Sequence, residues 1–96
     1  MKSLPANVVL YKQTPEFDAR SIPPGLQHAH ATREGTWGLI VVSEGELMYR
    51  ILDPVPEELR LSPQLAGVIE PAISHEVSAP GNVRFHIEFY RQKITG

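Results

Sequence analysis

Proline takes nine of the 96 positions, about twice its usual share of roughly 5%. Each ring fixes φ and removes a backbone donor, at a cost of roughly 3 kcal/mol inside a helix. A helical bundle is therefore excluded, and the chain must be built from short extended pieces with turns between them. The apolar residues agree, because they recur at every second position. Val83, Phe85, Ile87 and Phe89 share one face of a predicted strand, with Arg84, His86, Glu88 and Tyr90 on the other.

The same alternation runs through residues 46–52, where Leu47, Tyr49 and Ile51 face one way and Met48, Arg50 and Leu52 the other. Residues 38–42 form a continuous apolar run, and Ser43-Glu44-Gly45 between the two segments predicts a β-hairpin. Residues 8–11 predict an opening strand and residues 17–22 a second, followed by a Pro23-Pro24-Gly25 turn. Residues 26–32 alternate, with His28 and His30 on one side. Residues 54–61 hold the one candidate turn of helix, but the bounding prolines favour loop and strand. Residues 59–61 and 67–70 read as two further short strands, separated by Ser62-Pro63-Gln64. The pattern is all-β, a small barrel or sandwich, expected to fill residues 1–96 as a single domain.

Charge and composition exclude several functions. Nine Lys/Arg against eleven Asp/Glu, without a block of like charge, give neither a nucleic-acid footprint nor a polybasic membrane patch. The absence of cysteine excludes disulfides, thiolate metal ligands and a cysteine nucleophile. No stretch approaches the roughly 18 apolar residues of a spanning helix, and Met1-Lys2-Ser3-Leu4-Pro5 leads into no signal-peptide core. A cytoplasmic protein is expected. Apolar residues on both sides of 38–42 and 46–52, with sheet edges to protect, predict a homodimer.

The histidines are the candidate chemistry. On a strand, His28-Ala29-His30 puts two imidazoles on one face with Cα atoms about 7 Å apart, and imidazole suits divalent metals. His75 stands four residues after Pro71, so it is expected to open a strand just past a turn and to bring in a third ring. The plainer alternative is an exposed or locally bonded pair, to which a Pro-x-x-x-His spacing adds little by itself. No other constellation competes: the chain lacks a G-x-S-x-G serine, a phosphate-binding glycine loop and an evident carboxylate pair.

Gly25, His28-Ala29-His30, Glu34 and Gly38 or Gly45, followed by Pro71 and His75, resemble the two motifs of the cupin superfamily. The first glycine stands closer to the histidines than usual, and the second turn is a residue short and lacks its glycine. A narrower likeness lies in His30-Ala31-Thr32-Arg33-Glu34-Gly35-Thr36-Trp37-Gly38 and Glu44-Gly45-Glu46-Leu47. It continues in Glu70-Pro71, His75-Glu76-Val77 and Arg84-Phe85-His86-Ile87-Glu88-Phe89-Tyr90. Over about residues 4–91 the chain resembles the YeaR-like domain, also called the tellurite-resistance-protein-B-like domain.

That resemblance implies a compact cupin-like barrel, a double-stranded β-helix or jelly roll, with a divalent metal site. Carried onto this chain, His28, His30 and His75 become the expected ligands. Glu34 takes the fourth-ligand place although it lies in what reads as a turn. His86, sharing a face with Glu88, is a further ligand or a partner to one. Zinc is the metal expected on purification, with iron, nickel or manganese as alternatives. Trp37 is expected to cap one mouth of the barrel, and Arg33, Arg50 and Arg84 to contact anions only if they face the metal. The family takes its name from a domain attached to a tellurite-detoxifying methyltransferase. This chain shows no S-adenosylmethionine-binding unit and reads as too short to hold one.

Three neutral imidazoles would leave a metal its charge to polarise a carbonyl or to acidify bound water. The expected function is a small metal-binding cupin that takes a small polar or anionic ligand in a tellurite, oxyanion or metal stress response. A metal-dependent oxygenase or isomerase acting on a small organic substrate is one alternative. A non-catalytic sensor or interaction module, its histidines serving stability, is the other.

Overall fold

In a computed structural model that describes residues 1–93, strands dominate. They are β1 (Val8–Gln13), β2 (Phe17–Asp18), β3 (Thr36–Gly45), β4 (Leu47–Ile51), β5 (Glu57–Leu61), β6 (Gly67–Ile69), β7 (His75–Ser78) and β8 (Val83–Gln92), with a 3-10 helix at Pro24–Gln27. One antiparallel sheet runs β1-β8-β3-β6, with β2 also on β8, and the other runs β5-β4-β7. The sheets share no strand. The chain is thus all-β and antiparallel, as predicted, in two sheets that do not close on one another; the cupin-like jelly roll that the resemblance implies is a finer statement than these two sheets make.

Alternation places the core. From the larger sheet, Ile40, Val42, Val83, Phe85 and Ile87 face inward, and Leu47, Tyr49, Ile51, Leu61 and Val77 meet them from the smaller one. Burying such side chains is worth roughly 1.5–3 kcal/mol each. Tyr49 also ties the layers together, because its hydroxyl on β4 donates to the Val68 carbonyl on β6 at 2.8 Å. The opposite faces of β4 and β8 carry Met48, Arg50, His86 and Glu88, as the two-residue pattern predicts.

Four expectations are corrected. Residues 38–42 and 46–52 lie in successive strands but form no hairpin. β3 pairs with β6 and β8, whereas β4 pairs with β5 and β7. The chain crosses from one sheet to the other at Gly45, whose φ of +78 suits glycine; a Cβ there would meet the Asn82 carbonyl. Periodicity assigns a residue to a face but does not choose its partner strand.

The second predicted strand stops at Asp18, whose carboxylate accepts from the Arg20 and Ser21 amides at 2.8 and 3.0 Å and turns the chain. The alternating residues 26–32 are not a strand either. Their first part is the 3-10 helix, opened by proline. Trp37 lies on the outer face of β3 opposite Tyr90 and caps no mouth. The segment at 54–61 is loop and then β5, and β7 opens at His75, both as predicted. No helix of the described residues is long and apolar enough to cross a membrane.

Candidate functional site

Local backbone geometry decides what the H-x-H segment does. Ala29 takes φ +32, so His28 and His30 do not share the face that a strand would give them. His28 ends the 3-10 helix in an extended conformation and is exposed. His30 instead pairs with His75. The His30 amide donates to the His75 carbonyl at 2.7 Å, and the His75 amide donates back at 2.8 Å. This narrow antiparallel bridge brings the imidazoles edge to face, with centroids 5.4 Å apart and planes at 79°. Tyr49 meets the His75 ring in a similar geometry at 6.0 Å.

The pair is short of hydrogen bonds. His75 is 1% exposed, and its Nδ1 lies 3.1 Å from the Ile73 carbonyl. A carbonyl only accepts, so Nδ1 carries the proton and Nε2 keeps a lone pair. That Nε2 and the Nδ1 of His30 are both buried without a hydrogen-bond partner among the described residues. Burial pushes the His75 pKa below 6.5; the bond to Ile73 opposes this and the neighbouring His30 adds to it. His75 is therefore neutral at physiological pH.

The other expected ligands lie elsewhere. Glu34 is exposed in the 34–35 turn. His86 stands on the outer face of β8, opposite Val41, with its Nε2 at 2.8 Å from one Glu88 oxygen. Tyr90 donates to the other Glu88 oxygen at 2.6 Å. These bonds from Tyr90 and His86 hold the Glu88 pKa below the usual carboxylate range, and the Tyr90 phenol is pushed up to about 12 by Glu88. Of five candidate residues the fold brings together two, His30 and His75. Among the described residues no three His, Cys, Asp or Glu side chains form a group able to hold a metal ion. The divalent metal site is corrected on that ground.

Arg50 and Arg84 are held by carboxylates. Arg50 pairs with Glu76 at 2.9 Å, and Arg84 pairs with Glu16 and Glu44 at 3.3 and 3.1 Å. Arg33 is different. It lines a depression of about 440 Å³ together with Tyr11, Lys12, His30, Thr36 and Phe89. Sequence reasoning misses this depression because its residues come from three separated segments. A register shift between Leu10 and Lys12 sets Lys12 opposite Phe89, and no local pattern announces such a shift. A second depression of the same size lies beside Asp18, Arg20, Glu44 and Arg84, where carboxylates already hold the Arg84 guanidinium.

Residues 12–87 match the TehB-like domain family. Two curated relatives, each a probable S-adenosyl-L-methionine-dependent methyltransferase TehB from a strain of Haemophilus influenzae, are 30% identical over 76 residues. The match takes in 75% of this chain and 27% of each relative, so the chain spans about a quarter of their length. The crystal structure of Haemophilus influenzae TehB superposes with a TM-score of 0.84 at 28% identity, over 91% of this chain and 32% of that one. A protein from Escherichia coli K12 superposes with a TM-score of 0.88 at 21% identity, over 100% and 93% of the two chains, which shows the fold alone.

These likenesses overturn the expected function. The matched relatives are named as S-adenosyl-L-methionine-dependent methyltransferases, and the described residues gather no metal-ligating group. The metal-binding cupin is therefore withdrawn, together with the oxygenase or isomerase and the sensor alternatives. The tellurite-resistance likeness survives in part, through the family itself.

Proposed function

We propose that this chain, which belongs to the TehB-like domain family, serves S-adenosyl-L-methionine-dependent methyl transfer as a β-sandwich that accompanies the methyl-transferring unit and receives the methyl acceptor. One observation carries the reading: the likeness takes in three quarters of this chain but 27% of each methyltransferase that it matches. The share matched fits a companion to the reaction centre better than the centre itself.

The residues present do not fit the methyl donor. A nucleoside-bearing cofactor is commonly held where a parallel strand runs through a glycine turn into a helix, whose N-terminus offers free amides. Here every strand pairing is antiparallel, and the helical segment of the described residues is a single 3-10 turn of four residues. The donor is therefore assigned to a separate unit and no step is routed through it here. A small-molecule acceptor remains as the ligand of this domain. A cytoplasmic homodimer, each chain one domain over residues 1–96, is part of the same proposal.

A segment exchange tests it. Residues 12–87 replace the matched segment of Haemophilus influenzae TehB, and release of S-adenosylhomocysteine is followed. Turnover within about tenfold of the parent, a barrier change of about 1.4 kcal/mol, is expected, whereas this chain alone should release none. A chimera that folds and binds the donor but has lost turnover would contradict the proposal.

A further inference from the structure

Several cationic groups of this surface are matched to carboxylates. Arg50 is held by Glu76, Arg60 by Glu46 and Arg84 by Glu16 and Glu44, and the Met1 ammonium meets Glu57. The depression beside His30 differs from those places. Lys12 and Arg33 both line it, and neither has an ion-pair partner among the described residues. No carboxylate of the described residues lines it. The guanidinium of Arg91 lies 5.0 Å over the Tyr11 ring, which adds a third positive charge beside a lining residue. In a chain of net charge -2, a concave patch of one sign concentrates ligands of the other.

The walls narrow the class further. Phe89 and Tyr11 give apolar surface, while His30 and Thr36 add polar groups. The loop that carries Arg33 is held in place. The His30–His75 bridge fastens one end, the Ala72 amide donates to the Thr32 carbonyl at 3.2 Å, and the Thr36 amide donates to the Arg33 carbonyl at 3.1 Å. Thr32 Oγ1 donates to the Thr36 carbonyl at 2.9 Å and closes the turn. The volume of about 440 Å³ falls in the usual range for small-molecule sites, roughly 300–1,000 Å³. A guanidinium fork matches the two oxygens of a carboxylate, and a lysine adds a point charge.

We infer that this depression binds a small organic carboxylate with an apolar or aromatic body, held by Arg33 and Lys12 and packed on Phe89 and Tyr11. The inference goes beyond the reading above: it names a ligand class for this face of the domain and does not require that ligand to be the methyl acceptor.

Benzoate is the probe, with neutral benzamide as its isostere and phenylphosphonate as the competing anion. Amide shifts in the full chain are followed by nuclear magnetic resonance. Benzoate should shift Lys12 and residues 31–36 saturably, and benzamide should bind about tenfold weaker or less. Arg33→Gln and Lys12→Gln should each weaken benzoate about three- to tenfold, the effect expected of a charged contact, and added salt should do the same. Both residues are on the surface, so the variants' remaining amide shifts report whether the fold is kept. Equal binding of benzamide, shifts centred elsewhere, or unchanged affinity in both variants would overturn the site. Phenylphosphonate binding more tightly than benzoate would overturn the carboxylate assignment. The two ideas fail separately: a chimera that turns over while benzoate ignores Arg33 removes this site alone. Benzoate bound here beside an inactive chimera removes the methyl-transfer reading alone.

Discussion

His30 and His75 exchange both of their backbone hydrogen bonds, at 2.7 and 2.8 Å, yet the Nδ1 of one and the Nε2 of the other are buried without hydrogen-bond partners among the described residues. The bridge fastens the segment before β3 to the edge of β7, and it positions the loop that carries Arg33. An unmade buried hydrogen bond costs roughly 1–3 kcal/mol, so this fastening is bought at some loss of stability.

The first prediction concerns pH. His75 has its pKa lowered from 6.5 by burial, so just below pH 6.5 the unfolded chain binds a proton there that the folded chain does not. Stability should then fall as pH falls from 6.5 toward the lower folded value, by at most about 1.4 kcal/mol per pH unit. Urea unfolding of the parent and of His75→Phe over this window checks it. The variant should lose this slope, and an unchanged slope would show that His75 is not its source.

Tyr49→Phe should cost about 1–3 kcal/mol. The change removes the hydroxyl that joins β4 to the Val68 carbonyl of β6 at 2.8 Å and leaves that carbonyl short of a donor in a buried layer. The ring stays, so packing is kept. Denaturant midpoints compared at constant m-value measure the loss.

On the outer face of β8, Tyr90 should ionise near pH 12, because its phenol donates to Glu88 at 2.6 Å. Glu88→Gln removes the negative charge and should bring Tyr90 back toward 10. For a phenol whose folded pKa is raised, the stabilisation is present below pH 10 and is lost as pH rises through about 12. Ultraviolet titration of both proteins, with Tyr90→Phe subtracted, isolates the residue.

The proposed homodimer has a candidate surface. Trp37, Leu39 and Val41 lie half-buried on the outer face of β3, beside Tyr90, Glu88 and His86 of β8. Light scattering should return twice 10.7 kDa, and Leu39→Lys should shift the mass toward the single chain. A single-chain mass at high concentration for the parent would remove this surface from consideration.

Legibility in the sequence followed the range of the interactions. Half-buried strands such as β4 and β8 show in the alternation itself, because one face of each is core. Their pairing does not, since Leu47 pairs with Leu61 and Ile40 with Gly67 and Ile87 only once the sheets assemble. The H-x-H motif is deceptive for a local reason: Ala29 adopts a positive φ that nothing in its neighbours announces. The strand opening at His75 is legible because the proline turn before it is a local signal. The depression is not, as Lys12 and Arg33 come to line it together only through the β1–β8 register and the turn at 34–35.

We propose that this domain accompanies the methyl donor's unit without holding the donor. On that reading, calorimetric titration of S-adenosyl-L-methionine into the full chain shows no saturable binding. One donor bound per chain, with heat that saturates, would contradict it.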